Sequence, residues 1–180
     1  MKNKNGIYII GVDHGYGNIK TANYCFPTGL TAYDTEPLFT GNMLVYNDRY
    51  YLIGVGHKTY IPEKTLDEDY YILTLAAIAM ELNRENLTEA SIHISAGLPL
   101  SWVQEQKAAY HAYLLKNKEV QFVFRGVDYK ITIVGVDIYP QGYSAIAAKA
   151  ADMKGVTLLC DIGNGTMNLL YLRDGRPDPS

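Results

Sequence analysis

Two aspartates in this chain stand in the same local grammar. Asp13, in GVDHGYGNIK (residues 11–20), and Asp161, in LLCDIGNGTMNL (residues 158–169), each close an apolar run and open a turn built on alternating glycines. A strand ending at Asp13 points its carboxylate out of a sheet. Gly15 and Gly17 remove the side chains that would keep phosphate oxygens from the backbone N–H groups. Lys20 can set its ammonium on the same phosphates as a point charge. In the second turn Gly163 and Gly165 repeat the bare backbone, and Thr166 adds a hydroxyl donor. Asn18 and Asn164 lie within the two turns and belong to the same candidate set. Taken singly, such a turn is equally the bend of a tight hairpin, because glycine-rich matches are common. Two of them in one chain can face each other and grip a phosphate chain from both sides. Two carboxylates opposite a polyphosphate then require a divalent cation between them, since like charges repel. Mg²⁺, which keeps several of its waters, is the natural choice.

The elements that must position these turns can be read from periodicity. Residues 6–13 read as a buried strand, with Ile19 to Phe26 as its return partner. A second hairpin joins Met43–Tyr46 to Tyr50–Val55 across Asn47, Asp48 and Arg49, and Pro27 to Thr40 reads as an exposed loop. After a loop at Gly56 to Lys64, Asp67 or Asp69 can cap a helix running to about Arg84, whose apolar positions nearly encircle it. Ser91 to Ala96 reads as a short strand. Ser101, with Gln104 in capping-box spacing, opens a helix that runs to about Asn117. Glu119–Phe124 and Tyr129–Val136 form a further hairpin, Gln141 to Lys149 a short helix after Pro140, and Thr157–Asp161 and Met167–Leu172 the last two strands. The order gives an α/β fold, a mixed sheet with helices on its faces.

The bulk properties bound the function. At 180 residues one ordinary domain is expected. Apolar residues make up 48% and charged residues 19%, which excludes a disordered tail. A net charge of −3, with acids and bases interspersed, supplies no basic field for nucleic acid or an anionic membrane. Direct nucleic-acid binding is therefore not expected. The N-terminus carries no export-signal or membrane-spanning pattern. Cys25 and Cys160 have no metal-ligand spacing, and Cys160 within an apolar strand reads as a buried thiol, consistent with a reducing cytoplasm.

Other polar residues are weaker candidates. His14 lies in the first loop, where either its ring reaches a phosphate or the ring points away and only its backbone serves. His57, His93 and His111 are too dispersed for a metal site, and His93 alternates with Ile92 and Ile94 as an outward strand position does. Trp102 reads as a packing anchor, and Ser101 as a cap with no base to make it a nucleophile.

At the two turns the sequence resembles the actin-like ATPase superfamily, which includes actin, the heat-shock chaperone ATPases and sugar kinases, and most closely the bacterial ParM/StbA-like proteins of plasmid segregation. GVDHGYGNIK is similar to the family's first phosphate loop and CDIGNGT to its second. SAGLPLSWV is similar to the GLP segment that ends a domain I strand, and VDIYPQGYSAIAA to the helix between the phosphate loops. The resemblance implies an RNase H-like mixed sheet flanked by helices, domain I of an actin-like ATPase, over residues 1–180. Domain II is expected to be absent, with the chain either a fragment cut at the crossover or a natural stump.

The resemblance also implies roles. Asp13 and Asp161 would hold the water shell of Mg²⁺, and Lys20 the β- and γ-phosphates of ATP. Backbone amides of Gly15, Gly17, Gly163, Gly165 and Thr166 would cradle those phosphates. Gln141 falls where the family orients the attacking water; without the family it reads as a first-turn helix residue after Pro140. The implied whole protein is a cytoplasmic, ATP-hydrolysing filament former that segregates plasmid DNA through an adaptor protein. ATPase activity would be poor in the isolated domain. Two alternatives stand beside it: a sugar or acyl kinase of the same superfamily, and a non-enzymatic interaction module such as a filament regulator.

Overall fold

A computed structural model describes residues 1–38, 41–56, 63–142, 146, 149–163 and 167–178. Thirteen strands and two long helices are formed by them. The strands are β1 (Lys2–Lys4), β2 (Ile7–His14), β3 (Asn18–Lys20), β4 (Cys25–Pro27), β5 (Leu30–Tyr33), β6 (Met43–Tyr46), β7 (Arg49–Ile53), β8 (Glu89–Leu98), β9 (Glu119–Phe124), β10 (Val127–Pro140), β11 (Val156–Ile162), β12 (Met167–Arg173) and β13 (Arg176–Pro177). The helices are α1 (Asp69–Arg84) and α2 (Leu100–Leu114), and a single 3-10 turn spans Ala150–Asp152.

The alternation that predicts strands also sets the layers. In β2, Val12 and His14 are buried while Gly11 and Asp13 are exposed; in β8, Ile92, Ile94, Ala96 and Leu98 are buried and the residues between them are not. One face of the sheet is therefore apolar, and both helices lie on it. The ring of His14 meets Tyr70 of α1 and Tyr110 of α2 edge-on, each at 5.8 Å. Tyr113 of α2 accepts the N–H of Tyr71 through its hydroxyl oxygen at 2.7 Å, fastening the helices to each other. Every residue of α1 from Tyr70 to Leu82 is buried, as its all-round apolar pattern requires.

Strand order in the ten-stranded sheet is β4-β3-β2-β8-β10-β9-β6-β7-β5, with β1 added against β2. Its centre, β2-β8-β10, is parallel, and the flanking pairs are antiparallel. Parallel neighbours need crossovers, and α1 and α2 lie in them. β11, β12 and β13 form a separate three-stranded antiparallel sheet.

Several expectations change at the level of tertiary structure. The stretch from Pro27 that reads as a loop holds β5, which pairs with β7, and a buried Thr28. The return strand Ile19 to Phe26 breaks into β3 and β4, which pair with each other around a turn closed by the Thr21 N–H to the Tyr24 carbonyl at 2.8 Å. β8 and β10 run past the ends expected for them because they pair with each other as far as Leu98 and Pro140.

Neither helix has a side-chain cap: Glu68 and Pro99 hold the N-cap positions, and Asp67 instead accepts the N–H of Asp69 at 3.0 Å. Gln141 and Gly142 form a turn, and most of the helix expected over residues 141–149 lies outside the described residues. Cys160 is exposed, because the alternate positions of β11 that include Val156, Leu158 and Ile162 face solvent. Among the described residues no helix is long and apolar enough to cross a membrane.

Candidate functional site

Asp13 and His14 are neighbours in β2 and so point to opposite faces of the sheet. Asp13 stands half-exposed on the open face, and His14 is fully buried among α1 and α2. Lys20 sits directly across the β2–β3 pairing from Asp13, its Nζ 4.0 Å from Oδ2. The ammonium and the carboxylate thus stand together at the mouth of the first glycine turn, both accessible to a ligand.

The backbone of that turn is held from behind. Thr28 donates its hydroxyl to the Gly15 carbonyl at 2.8 Å and its N–H to the Gly17 carbonyl at 3.0 Å. Lys64 donates from Nζ to the His14 carbonyl, which also receives Nε2 of Gln141 at 3.4 Å. In a planar trans peptide the C=O of one residue and the N–H of the next point in opposite directions. Pinning the His14 and Gly15 carbonyls therefore turns the Gly15 and Tyr16 amides away from these donors. A Cβ on Gly15 would come within 2.7 Å of the Asn18 carbonyl, so this tight bend requires glycine. Tyr16 packs its ring edge-on against Trp102 at 6.4 Å, in keeping with an anchoring role for that indole.

Gln141 joins the two turns. Its Nε2 donates to Oδ1 of Asp13 at 3.2 Å, and its N–H to the Leu98 carbonyl at 2.8 Å. Gly97 makes this approach possible, because a Cβ there would stand 2.9 Å from Cγ of Gln141 and 3.9 Å from Oδ1 of Asp13. The next residue, Gly142, has φ of +80°, and a Cβ on it would lie 3.3 Å from Cβ and 3.7 Å from Oδ2 of Asp161. Asp13 and Asp161, distant in sequence, thus lean on one two-residue turn. Gly163 follows β11 in an exposed position, whereas Asn164, Gly165 and Thr166 lie outside the described residues.

Burial and charge shape the ionisation of the groups behind the loop. Burial, aided by the nearby Lys64 ammonium, holds His14 well below its ordinary value, so the ring is neutral at pH 7. Its Nε2 shares a 2.7 Å hydrogen bond with the Thr74 hydroxyl. Of the two roles open to His14, the ring therefore points into the core and only its backbone faces the loop. Burial pushes Lys64 down to about 8, against the opposing pull of Asp13.

Thr28 and Lys64 were not legible as loop-bracing residues. Each lies in a stretch that reads as loop, and only their near-complete burial marks them. His93 stands on the open face as its alternation requires, with Nε2 2.9 Å from Oδ2 of Asp137. Among the described residues no group of three or more His, Cys, Asp or Glu side chains is placed to hold a metal ion directly. Asp13 and Asp161, each beside the Gln141–Gly142 turn, instead suit a cation that keeps much of its water shell. A surface cavity of about 530 Å³ is lined by residues including Asp48, Glu89, Gln121, Asp128 and Lys130, and by none of the site residues.

A family model described as actin-like proteins N-terminal domain matches residues 11–143. No curated protein matches the chain. Among solved structures, the apo psk41 ParM protein superposes with a TM-score of 0.76 at 17% identity, over 96% of this chain and 64% of that one. The archaeal actin homologue Ta0583 in complex with ADP gives 0.72 at 19%, over 94% and 57%. An AlfA filament bound to AMPPNP gives 0.72 at 19%, over 95% and 66%. The chain therefore spans less than two thirds of the length of these structures, and at such identity the likeness establishes the fold.

Proposed function

Since this chain belongs to the family of actin-like protein N-terminal domains, we propose that it binds the phosphates of ATP at the Asp13–Gln141–Asp161 site and serves an ATP-dependent, filament-forming protein of DNA segregation. The observation that carries this reading is the meeting of Asp13 and Asp161 on the Gln141–Gly142 turn. Support comes from relatives of the same fold, one described with ADP and one as a filament with AMPPNP.

In this reading Asp13 and Asp161 would hold Mg²⁺ through its water shell, and its charge would offset the repulsion between carboxylates and phosphates. Lys20 reaches the phosphates as a point charge, and the amides of Gly15 and Tyr16 donate to their oxygens. The amides around Gly17, Gly163, Gly165 and Thr166, with Asn18 and Asn164, complete the cradle. Gln141 is an amide, able to orient a water but not to take its proton as a full base. Turnover is therefore slow and rests on electrostatic stabilisation. Filament assembly and an adaptor to plasmid DNA belong to the complete protein.

Calorimetric titration tests the site. Magnesium-ATP and magnesium-triphosphate should both bind and compete, while adenosine alone does not bind; absence of heat with both phosphate ligands overturns the proposal. Pelleting of the complete protein that is the same with and without magnesium-ATP would sink the filament part.

Gly97→Ala addresses Gln141 while changing no charge, its Cβ crowding Cγ of Gln141 far more closely than Oδ1 of Asp13. The new Cβ displaces Cγ of Gln141 and with it the 3.2 Å bond to Asp13. Misplacement of a water-orienting group by an ångström costs on the order of 100-fold. Phosphate release by the complete protein is expected to fall by that order at saturating ATP, with nucleotide affinity nearly kept.

A further inference from the structure

The buried cation behind the first loop has a role that the site as described does not use. Lys64 is 1% exposed and among the largest fully buried side chains of the described residues. Its ammonium donates to the His14 carbonyl and lies 5.2 Å from the ring centroid of Tyr70 and 5.7 Å from that of Tyr16. Among the described residues no carboxylate lies within ion-pair distance of it. Among the described residues its direct neighbours are a carbonyl and two aromatic faces, with the Asp13 carboxylate acting only at longer range, and a buried charge so placed is costly unless an anion completes its surroundings. The loop it supports opens beside Lys20 and Asp13, where the proposed phosphate chain is held.

We infer that Lys64 is a positioning residue of the phosphate cradle: through the His14 carbonyl it fixes the direction of the Gly15 amide, and its charge is balanced by the bound polyanion. This rests on the phosphate-binding reading above and adds to it a residue from a loop with no motif. The ammonium does not reach the phosphates itself. It acts through one peptide plane and through the field it projects across the loop, which is strong where water is excluded. Gln141 shares the same carbonyl, so the setting of the loop and that of the water-orienting amide are coupled at one oxygen.

The consequence is a trade of stability against binding. Methionine matches the length and apolar stem of Lys64 but carries no charge. Replacing a poorly compensated buried ion by an apolar isostere is neutral or stabilising for a fold, whereas the cradle loses both its pin and its field. The experiment compares the wild-type chain, Lys64→Met and Lys20→Ala in titration with magnesium-triphosphate, alongside thermal unfolding without ligand. Lys64→Met is expected to bind triphosphate at least tenfold more weakly while its ligand-free Tm stays level or rises. Affinity within twofold of wild type overturns the inference, as does an affinity loss matched by a fall in Tm, which marks a merely structural lysine. Failure of wild type to bind triphosphate overturns the phosphate reading and this inference with it. Weakened binding in Lys20→Ala alongside unchanged binding in Lys64→Met leaves the reading intact and removes only the role of Lys64.

Discussion

Asp161→Asn is expected to slow ATP hydrolysis by the complete protein by roughly two to three orders of magnitude, the usual cost of losing one preorganised electrostatic group from a reacting site. The substitution keeps the shape of the side chain beside Gly142 and removes one of two charges that would balance a divalent cation. The fold should not change, because β11 is held to β12 by backbone pairing in the register Asp161↔Asn168. Phosphate release at saturating magnesium-ATP, with circular dichroism as the control, checks this. An Asp161→Asn variant that turns over at the wild-type rate would remove Asp161 from the chemistry and leave the two-turn arrangement a packing feature.

The largest effect on stability is expected at Glu81, which no motif marks. Its carboxylate is 1% exposed on α1 and accepts the Thr21 hydroxyl at 2.6 Å, the Asn23 N–H at 3.0 Å and the Asn23 Nδ2 at 2.8 Å. The Met1 ammonium stands 3.7 Å away, and the Met1 side chain is itself buried. Burial alone would raise its pKa, but the hydrogen bonds from Thr21 and Asn23 and the N-terminal charge outweigh it and leave Glu81 below the ordinary value. Glu81→Ala strands these donors and the N-terminal ammonium, at a cost of roughly 3–5 kcal/mol. For a chain of this size that lowers Tm by about 10 °C or more. The pH dependence follows from the sign of the shift. The folded state holds the carboxylate more tightly ionised than the unfolded state, so this stability is present above the unfolded pKa and is lost as pH falls through the lower folded one. Denaturant melts from neutral to acid pH should show that loss in wild type and a flatter profile in Glu81→Ala. Equal stability of the two at pH 7 would contradict the argument.

Glu81 also shows why some of the fold was not legible. Its interactions set the β3–β4 turn, dividing what reads as one strand from Ile19 to Phe26. Alternation in that stretch is compatible with one strand or with two; the choice comes from a carboxylate on a helix far along the chain. Leu30 to Tyr33 reads as loop because Gly29, Pro37 and several Thr and Asp residues punctuate the stretch around it, yet β7 offers it an open edge to pair with. Cys160 reads as buried because it lies in an apolar run, although β11 belongs to a small sheet with one uncovered face.

Reading along the chain captures what short-range physics controls: the β2 alternation, the all-round apolar α1, the tight bend at Gly15, and two aspartates each at the end of an apolar run. These depend on residues within a few positions of one another, where periodicity and steric limits act directly. Packing in three dimensions alone makes Gln141 and Gly142 bring Asp13 and Asp161 together, lets Gly97 leave room for this, and sets Thr28 and Lys64 to brace the first turn from behind. Such contacts join segments far apart along the chain. Their energies come from burial and from pairing across a core, and a polar residue in an aperiodic loop carries no local sign of the carbonyl it will meet.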